Sequence, residues 1–428
     1  MEFLRKLRAR LLAEYLSGLL TSYLAMGANI VAQIILVPIY LATLGTVAFG
    51  TLTLVLSAIN YASVGIGWLS GGLQRLLGQA YGMKDHAGFA KNIGAGKILF
   101  VGYGVAAAGA GVALFFMVPH ASLRPAAVVL AALFLIANYE LAVERQGLVA
   151  AGRQAASNLL QAVQVSFYAI SVTAALYSGL GLVGVFACQL GSMLGARCFV
   201  PLAWQGARPA ETHATFDAVR RLVRRLASRM GAGYFVIGML VLSSQSDVLV
   251  VGWLGGAEAA ARFVLIWKIA DVGVQMLWRM SESLIPILVR LDAVGDRKII
   301  RQRYRRVGGL LLVSAVAGGI AYATLGPWIT RLWLGPAHAP QDPLGFVLAG
   351  AGIVWLGIAK LPAIVAYSTA RFRLWNALYF LEITARFGLT VALYPRFGYL
   401  APIVALNIVH ICGMAIAYQL VGRKLLAG

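Results

Sequence analysis

Acidic residues are scarce in this chain: 15 Asp and Glu stand against 36 Lys and Arg in 428 residues, and charged residues make up only 12%. Soluble globular domains carry about a quarter charged residues, so an ordinary water-facing surface is excluded. Cysteine is nearly absent. Of the three, Cys188 and Cys198 lie ten residues apart on one predicted helix, about 15 Å along its axis and beyond disulfide reach. With Cys412 they read as packing residues inside membrane spans. The five histidines (His86, His120, His213, His338 and His410) are scattered, which leaves no His/Cys cluster with metal spacing. An Asp-x-Asp motif for a metal-dependent sugar-nucleotide transferase is missing, as is any large loop on the predicted outer side. These absences argue against an enzyme and imply neither metal nor cofactor.

Apolar sequence is what the chain has in abundance: 60% of residues are hydrophobic and mean hydropathy is +0.81. A helix crossing a bilayer needs ~20 mostly apolar residues. Twelve stretches qualify, at 15–42, 49–70, 95–118, 126–147, 156–178, 181–204, 230–252, 259–286, 306–326, 345–367, 374–394 and 400–421. Basic residues crowd every second gap between them. Counted from the N-terminus, the alternate segments on one side hold 27 of the 36 Lys and Arg. The other side holds Arg124, Arg262, Arg331 and Arg396, and the remaining five basic residues (Arg197, Lys268, Arg279, Lys360 and Arg386) lie deeper within spans. Loop charge sets orientation on insertion, with the basic side cytoplasmic, so both termini are expected inside. The net charge of +21 is spread over short segments facing anionic headgroups, which argues against a nucleic-acid partner. The first apolar run is too long for a signal-peptide core and lacks a small-x-small cleavage site. It is therefore expected to remain as a span.

The longest interruption, Gln205–Arg229, divides six spans from six. The expected organisation is an N-terminal six-helix lobe at 1–205, a cytoplasmic amphipathic linker helix at 206–229 and a C-terminal six-helix lobe at 230–428. In the linker, Phe216, Val219, Leu222, Val223 and Leu226 share one helical face and Arg220, Arg221, Arg224 and Arg225 the other, the pattern of an interfacial helix. The halves echo one another. After the first span comes Leu44-Gly45-Thr46-Val47-Ala48-Phe49-Gly50, and after the seventh Leu254-Gly255-Gly256-Ala257-Glu258-Ala259-Ala260. Six spans return each half to the same side, so the repeats are expected to be parallel, with a cleft between them. Pro38, Pro362 and Pro402 fall within spans and are expected to kink them. Gly67–Gly71 and Gly191–Gly195 are small-xxx-small pairs that permit close helix contact.

Ionisable groups inside spans are costly and mark functional faces. The eighth span carries Lys268, Asp271, Gln275, Arg279 and Glu282 at spacings of 3, 4, 4 and 3, within an arc of roughly 80° at ~100° per residue. The first span carries Ser22, Asn29, Gln33 and Tyr40; the fifth carries Asn158, Gln161, Gln164, Tyr168 and Ser171; the seventh carries Ser243 to Asp247. Lys268–Asp271, Arg279–Glu282 and Glu382–Arg386 have the spacing of local ion pairs, which offers a purely structural alternative. Lys360 has no acid within one turn and calls for an anion from another helix or a ligand. Lys268, Arg279, Lys360 and Arg386 together suit a diphosphate. Glu140 and Glu144 sit one turn apart on the fourth span, where two carboxylates repel unless Arg145 neutralises Glu144. Glu140 is the first candidate for ion coupling, followed by Asp247 and Asp271.

With its twelve spans in two halves, the Leu44–Gly50 turn and the run Ser246-Asp247-Val-Leu-Val-Val-Gly-Trp-Leu-Gly, the chain resembles the polysaccharide/O-antigen flippases. These belong to the multidrug/oligosaccharidyl-lipid/polysaccharide exporter superfamily. The resemblance implies an all-α polytopic fold, with two six-helix lobes around a central V-shaped cavity. It also implies alternating-access transfer of undecaprenyl-diphosphate-linked oligosaccharide across a bacterial inner membrane, with ion-gradient coupling. Lys360, Arg279, Lys268, Arg386, Asn29, Gln33 and Gln275 would contact cargo, while Glu140, Asp247 and Asp271 would couple ions. Expected partners are membrane lipids and polysaccharide polymerase machinery, around a monomer. The rivals are a cation-coupled multidrug exporter of the same superfamily, a membrane-embedded glycan polymerase or transferase, and an assembly scaffold without turnover. A drug exporter of cations favours an acidic cavity, whereas the spans here hold five basic residues.

Overall fold

The computed structural model describes residues 2–117, 123–205, 215–282, 288, 297–368 and 372–427, and among these every regular element is helical. They are α1 (Glu2–Gly82), α2 (His86–Met117), α3 (Pro125–Ala150), α4 (Gln154–Tyr177), α5 (Gly181–Cys198), α6 (Val200–Trp204), α7 (Phe216–Glu282), α8 (Arg297–Leu334), α9 (Pro343–Ser368), α10 (Phe372–Phe397), α11 (Ala401–Val409) and α12 (Ala415–Ala427). A 3₁₀ turn at Gly398–Leu400 joins α10 to α11, and a π-helical turn at His410–Met414 joins α11 to α12. Helix is the form in which a lipid-facing chain satisfies its own backbone hydrogen bonds.

Nine helical stretches among the described residues are long and apolar enough to cross a membrane. Three of these contain two segments each. Leu20–Ser63 bends at Gly45 (φ 80°, ψ 169°), Ser246–Ser281 bends at Gly256 (φ 77°, ψ −174°), and Leu374–Lys424 turns at the 3₁₀ segment. Divided at these bends, and with α7 helical back to Phe216, the described residues form twelve segments, six on each side of the Gln205–Arg229 interruption. The two glycine bends share a backbone conformation open essentially to glycine alone, and they occupy the two Leu-Gly turns picked out as an internal echo. Those turns also touch. A Cβ at Gly50 would run into the backbone carbonyl of Ala257, and one at Gly252 would meet the Leu54 side chain.

The chain divides into two compact units, residues 1–45 with 65–234, and residues 46–64 with 235–428. In the first, α2 packs on α3, and α5 packs on both α3 and α4, around Phe89, Phe100, Tyr139, Phe186 and Trp204. In the second, α8 lies against α9, α10 against α11, and α9 against α12. Phe263, Ile266, Phe346, Trp375 and Tyr418 are central to its core. The α8–α9 contact is tight because Gly319 and Gly350 meet backbone to backbone, where a Cβ on Gly319 would lie 2.6 Å from the Gly350 oxygen. Gly191 has open space beside it and Gly195 only an ordinary contact with Phe167, so this pair makes no close helix crossing. For Gly67–Gly71 the side-chain surroundings lie outside the described residues.

Of the expected linker, residues 206–214 lie outside the described residues. From Phe216 the chain is helical and runs without a break to the Gly256 bend. Ala218, Val219, Leu222 and Leu226 are buried, while Arg220, Arg221, Arg224 and Arg225 are exposed. Phe216 and Val223 turn outward. Pro38 and Pro362 sit inside helices, joined by Pro327 and Pro395. Pro402 instead opens α11, where its missing N–H leaves no hydrogen bond unmade.

Candidate functional site

Four helices of the second unit bring a charged cluster into its interior. Arg386 of α10 donates to Asp247 of α7, and its other terminal nitrogen lies 3.6 Å from Glu382, one turn earlier on α10. Glu382 also accepts the hydroxyl of Tyr418 on α12. His410, in the π turn, has Nε2 3.9 Å from Glu382 Oε1. Burial is nearly complete, with side-chain exposures of 7% for Arg386, 2% for Glu382, 0% for His410 and 17% for Asp247. Aromatic rings wall the cluster: Trp375 packs on Tyr418 at 4.7 Å between centroids, and Trp355 of α9 stacks on His410 at 6.1 Å and 22°. Trp355 is itself held by Asn407 Oδ1 at 3.0 Å, while Asn407 donates to the carbonyls of Leu348 and Ile403.

The π turn helps to assemble this site. His410 and Tyr418 are eight residues apart, about 80° round an ideal helix. A π turn absorbs one extra residue, which brings the two side chains onto one face. Gly413, at φ 131°, completes the irregularity. Sequence spacing reveals the Glu382–Arg386 pair. It does not reveal Asp247, 139 residues away in sequence, nor the His410–Glu382 contact.

The remaining candidates fall into three places. On α7, Gln275 donates to Asp271 at 2.8 Å, and Lys268 precedes Asp271 by three residues on the same helix. The side chain of Glu282 lies outside the described residues, and with it any pair to Arg279. Lys360 on α9 stands 4.4 Å over the Trp278 ring, a cation–π contact, and Trp278 donates to the Leu356 carbonyl at 3.0 Å. The sequence calls for an anion beside Lys360; the structure also sets it over an aromatic face.

In the first unit the polar faces of the first and fifth spans meet. The hydroxyls of Tyr40 and Tyr168 are 2.6 Å apart, and Asn158 donates to Thr21 at 3.2 Å. Asn29 and Gln33 are half-buried on the same helix as Tyr40. The third place is a cavity of about 180 Å³ lined by Lys97, Glu140, Glu144 and Arg197 among others. Here Arg197 binds Glu140 at 2.5 Å, Lys97 binds Glu144 at 2.8 Å, and Trp204 donates to Glu144 at 3.0 Å. Arg145 does not neutralise Glu144. Successive helical residues point ~100° apart, and Arg145 instead donates to Gln161 at 2.6 Å. Cys198 and Cys412 are exposed, unlike the expected packing residues, while Cys188 is half-buried.

Solved structures place this architecture in a class. An inward-facing multidrug resistance MATE family transporter of the MOP superfamily matches with a TM-score of 0.68 at 15% identity, over 95% of this chain and 94% of its own. An outward-facing conformation of such a transporter gives 0.70 at 13%, over 97% and 95%. A MOP superfamily transporter from Pyrococcus furiosus, described by the reverse polarity of its binding pocket, gives 0.63 at 15%, over 98% and 95%. This chain is a multi-pass, all-α membrane protein with the twelve-helix fold of MATE family transporters.

Among curated proteins, the uncharacterized membrane protein EpsK of Bacillus subtilis is 28% identical over 199 residues, 40% of this chain and 38% of EpsK. The match therefore spans well under half of that relative. No family model matches the chain.

Proposed function

We propose that this protein is a flippase. It carries oligosaccharide linked to undecaprenyl diphosphate from the cytoplasmic to the periplasmic leaflet by alternating access, driven by an ion gradient. The supporting observation is the basic character of α7 and α9 within the membrane, where Lys268, Arg279 and Lys360 stand on two helices tied by the Trp278–Leu356 hydrogen bond. Each such cation costs ~3 kcal/mol on insertion scales, an expense suited to an anionic guest. Lysine and arginine give a diphosphate charge-assisted donors. Arg386, already shared by Asp247 and Glu382, is withdrawn from that group. Asn29, Gln33 and Gln275 offer hydrogen bonds to sugar hydroxyls, and Glu140, Asp247 and Asp271 remain the acids proposed for coupling. The prenyl tail stays in lipid. Loop charge puts both termini in the cytoplasm of a bacterial cell, and the protein acts as a monomer beside polysaccharide polymerase machinery.

A second reading, export of small cationic molecules, is favoured by the multidrug transporters among the structural relatives. The P. furiosus transporter, with its pocket of reverse polarity, supports the idea that this fold serves cargoes of unlike charge.

Changing Lys360 and Arg279 together to alanine discriminates between the two. In cells that depend on the protein, the expected outcome is at least a tenfold loss of surface glycan, with oligosaccharide-diphosphate lipid trapped in the cytoplasmic leaflet and protein abundance unchanged. A loss of tenfold corresponds to about 1.4 kcal/mol, well within what one desolvated ionic contact supplies. Normal surface glycan in the double variant would refute the anion site and favour the exporter.

A further inference from the structure

We infer that Glu382 and His410 form a proton-binding site in the C-terminal unit, and that Arg386 keeps metal cations out of it. The inference deepens the transport reading by naming its coupling ion, though the site itself is testable without cargo.

Among the described residues, two carboxylates, one guanidinium and one imidazole meet in this interior: Asp247 from α7, Glu382 and Arg386 from α10, and His410 from the π turn. Tyr379 and Tyr418 face them as neutral phenols, and Trp355 and Trp375 add apolar walls. With His410 neutral, two carboxylates face one guanidinium, and the buried cluster carries a net negative charge. An uncompensated charge in a dry interior is strongly unfavourable. One added proton makes the cluster neutral.

Hydrogen-bond geometry places that proton. His410 Nδ1 lies 2.9 Å from the Leu406 carbonyl oxygen, which can only accept, so Nδ1 carries the hydrogen. In the neutral ring Nε2 is then a bare lone pair. It has no hydrogen-bond partner among the described residues and faces Glu382 Oε1, another acceptor, across 3.9 Å. A proton between the two converts this opposition into a charge-assisted pair. Closing the gap to hydrogen-bond length requires about 1 Å of movement. The π turn that carries His410, with Gly413 at φ 131°, is where the regular helical ladder is already broken and a small shift is readily absorbed.

A metal cation would need the oxygens of Asp247 and Glu382, and the Arg386 guanidinium already lies against both. What remains available is the narrow gap on the His410 side, which suits a proton.

The stacking of Trp355 on His410 supplies a reporter, because an imidazolium quenches a stacked indole and a neutral imidazole does not. The chain has nine tryptophans, so the signal is the emission of the full-length protein in lipid nanodiscs minus that of Trp355→Phe. Between about pH 5 and 9, where histidines titrate, this difference is expected to follow a single protonation step. His410→Gln should abolish the step. Glu382→Gln, which keeps an acceptor for Tyr418, should displace it by about one pH unit or more. Replacing sodium by choline at constant ionic strength should leave it in place.

A difference signal that does not titrate would overturn the inference. So would a midpoint unmoved by Glu382→Gln, or one that follows sodium. If His410→Gln does not fold, the Glu382→Gln midpoint decides alone. A titration present in a protein that moves no lipid-linked glycan would remove the flippase reading and leave the proton site standing.

Discussion

Arg386→Met is expected to lower the stability of the second unit by about 3–5 kcal/mol, the range for stripping one partner from a buried ion pair. The substitution strands Glu382, 2% exposed, and Asp247, 17% exposed, with no guanidinium between them. The expected result in detergent is a large drop in the thermal unfolding midpoint, read by tryptophan emission. The loss arises from orphaned charge and hardly from packing, because methionine approximates the arginine stem. Adding Asp247→Asn and Glu382→Gln to Arg386→Met should therefore recover most of the lost stability, since neutral replacements of a whole buried ionic group are often tolerated. Asp247→Asn alone should be mild, because Glu382 still meets Arg386. If Arg386→Met unfolds at the wild-type midpoint, the cluster does not tie α7 to α10.

Gly50→Val is the second large effect. A side chain at Gly50 collides with the backbone carbonyl of Ala257, and a backbone oxygen just past the Gly256 bend cannot rotate away. Overpacking commonly costs ~1–3 kcal/mol; this site is expected at or above the upper end, seen as lost expression and a lowered unfolding midpoint. Gly252→Ala is the control. There a Cβ meets the side chain of Leu54, which can change rotamer, so the expected loss is markedly smaller. Equal effects from the two substitutions would mean that the two turns do not press together as described.

These two sites also show what the chain discloses before it folds. The Leu44–Gly50 and Leu254–Ala260 turns stand out as an echo because only glycine tolerates the bends at Gly45 and Gly256. Span positions are legible for the same kind of reason. A bilayer demands a fixed apolar length, and 156–178 and 345–367 compare with helices at Gln154–Tyr177 and Pro343–Ser368. The true helix lengths are less visible. Helix α1 continues to Gly82, because polar helix outside the lipid has no hydropathy signature, and nothing in the sequence marks that the helix at Phe216 runs on unbroken into the next span.

Within the site, helical spacing exposes local pairs such as Glu382–Arg386 and Asp271–Gln275. Long-range partners depend on which helices pack together. Spacing alone therefore gives no sign that Asp247 and Arg386 bind one another. The π turn shifts the face of Tyr418 relative to His410 without any mark in the spacing. Pro402 was misplaced because hydropathy alone cannot separate a helix start from its middle.

Translocation of an anionic lipid-linked glycan can be followed in liposomes that hold the purified protein and oligosaccharide linked to undecaprenyl diphosphate. The measurement is the fraction of glycan reached over time by a membrane-impermeant glycan-cleaving enzyme. The expected result is a protein-dependent rise for the wild type, absent with Lys360→Ala and Arg279→Ala combined. Accessibility that stays at the level of protein-free liposomes, in vesicles where the same protein moves a small organic cation, would contradict it.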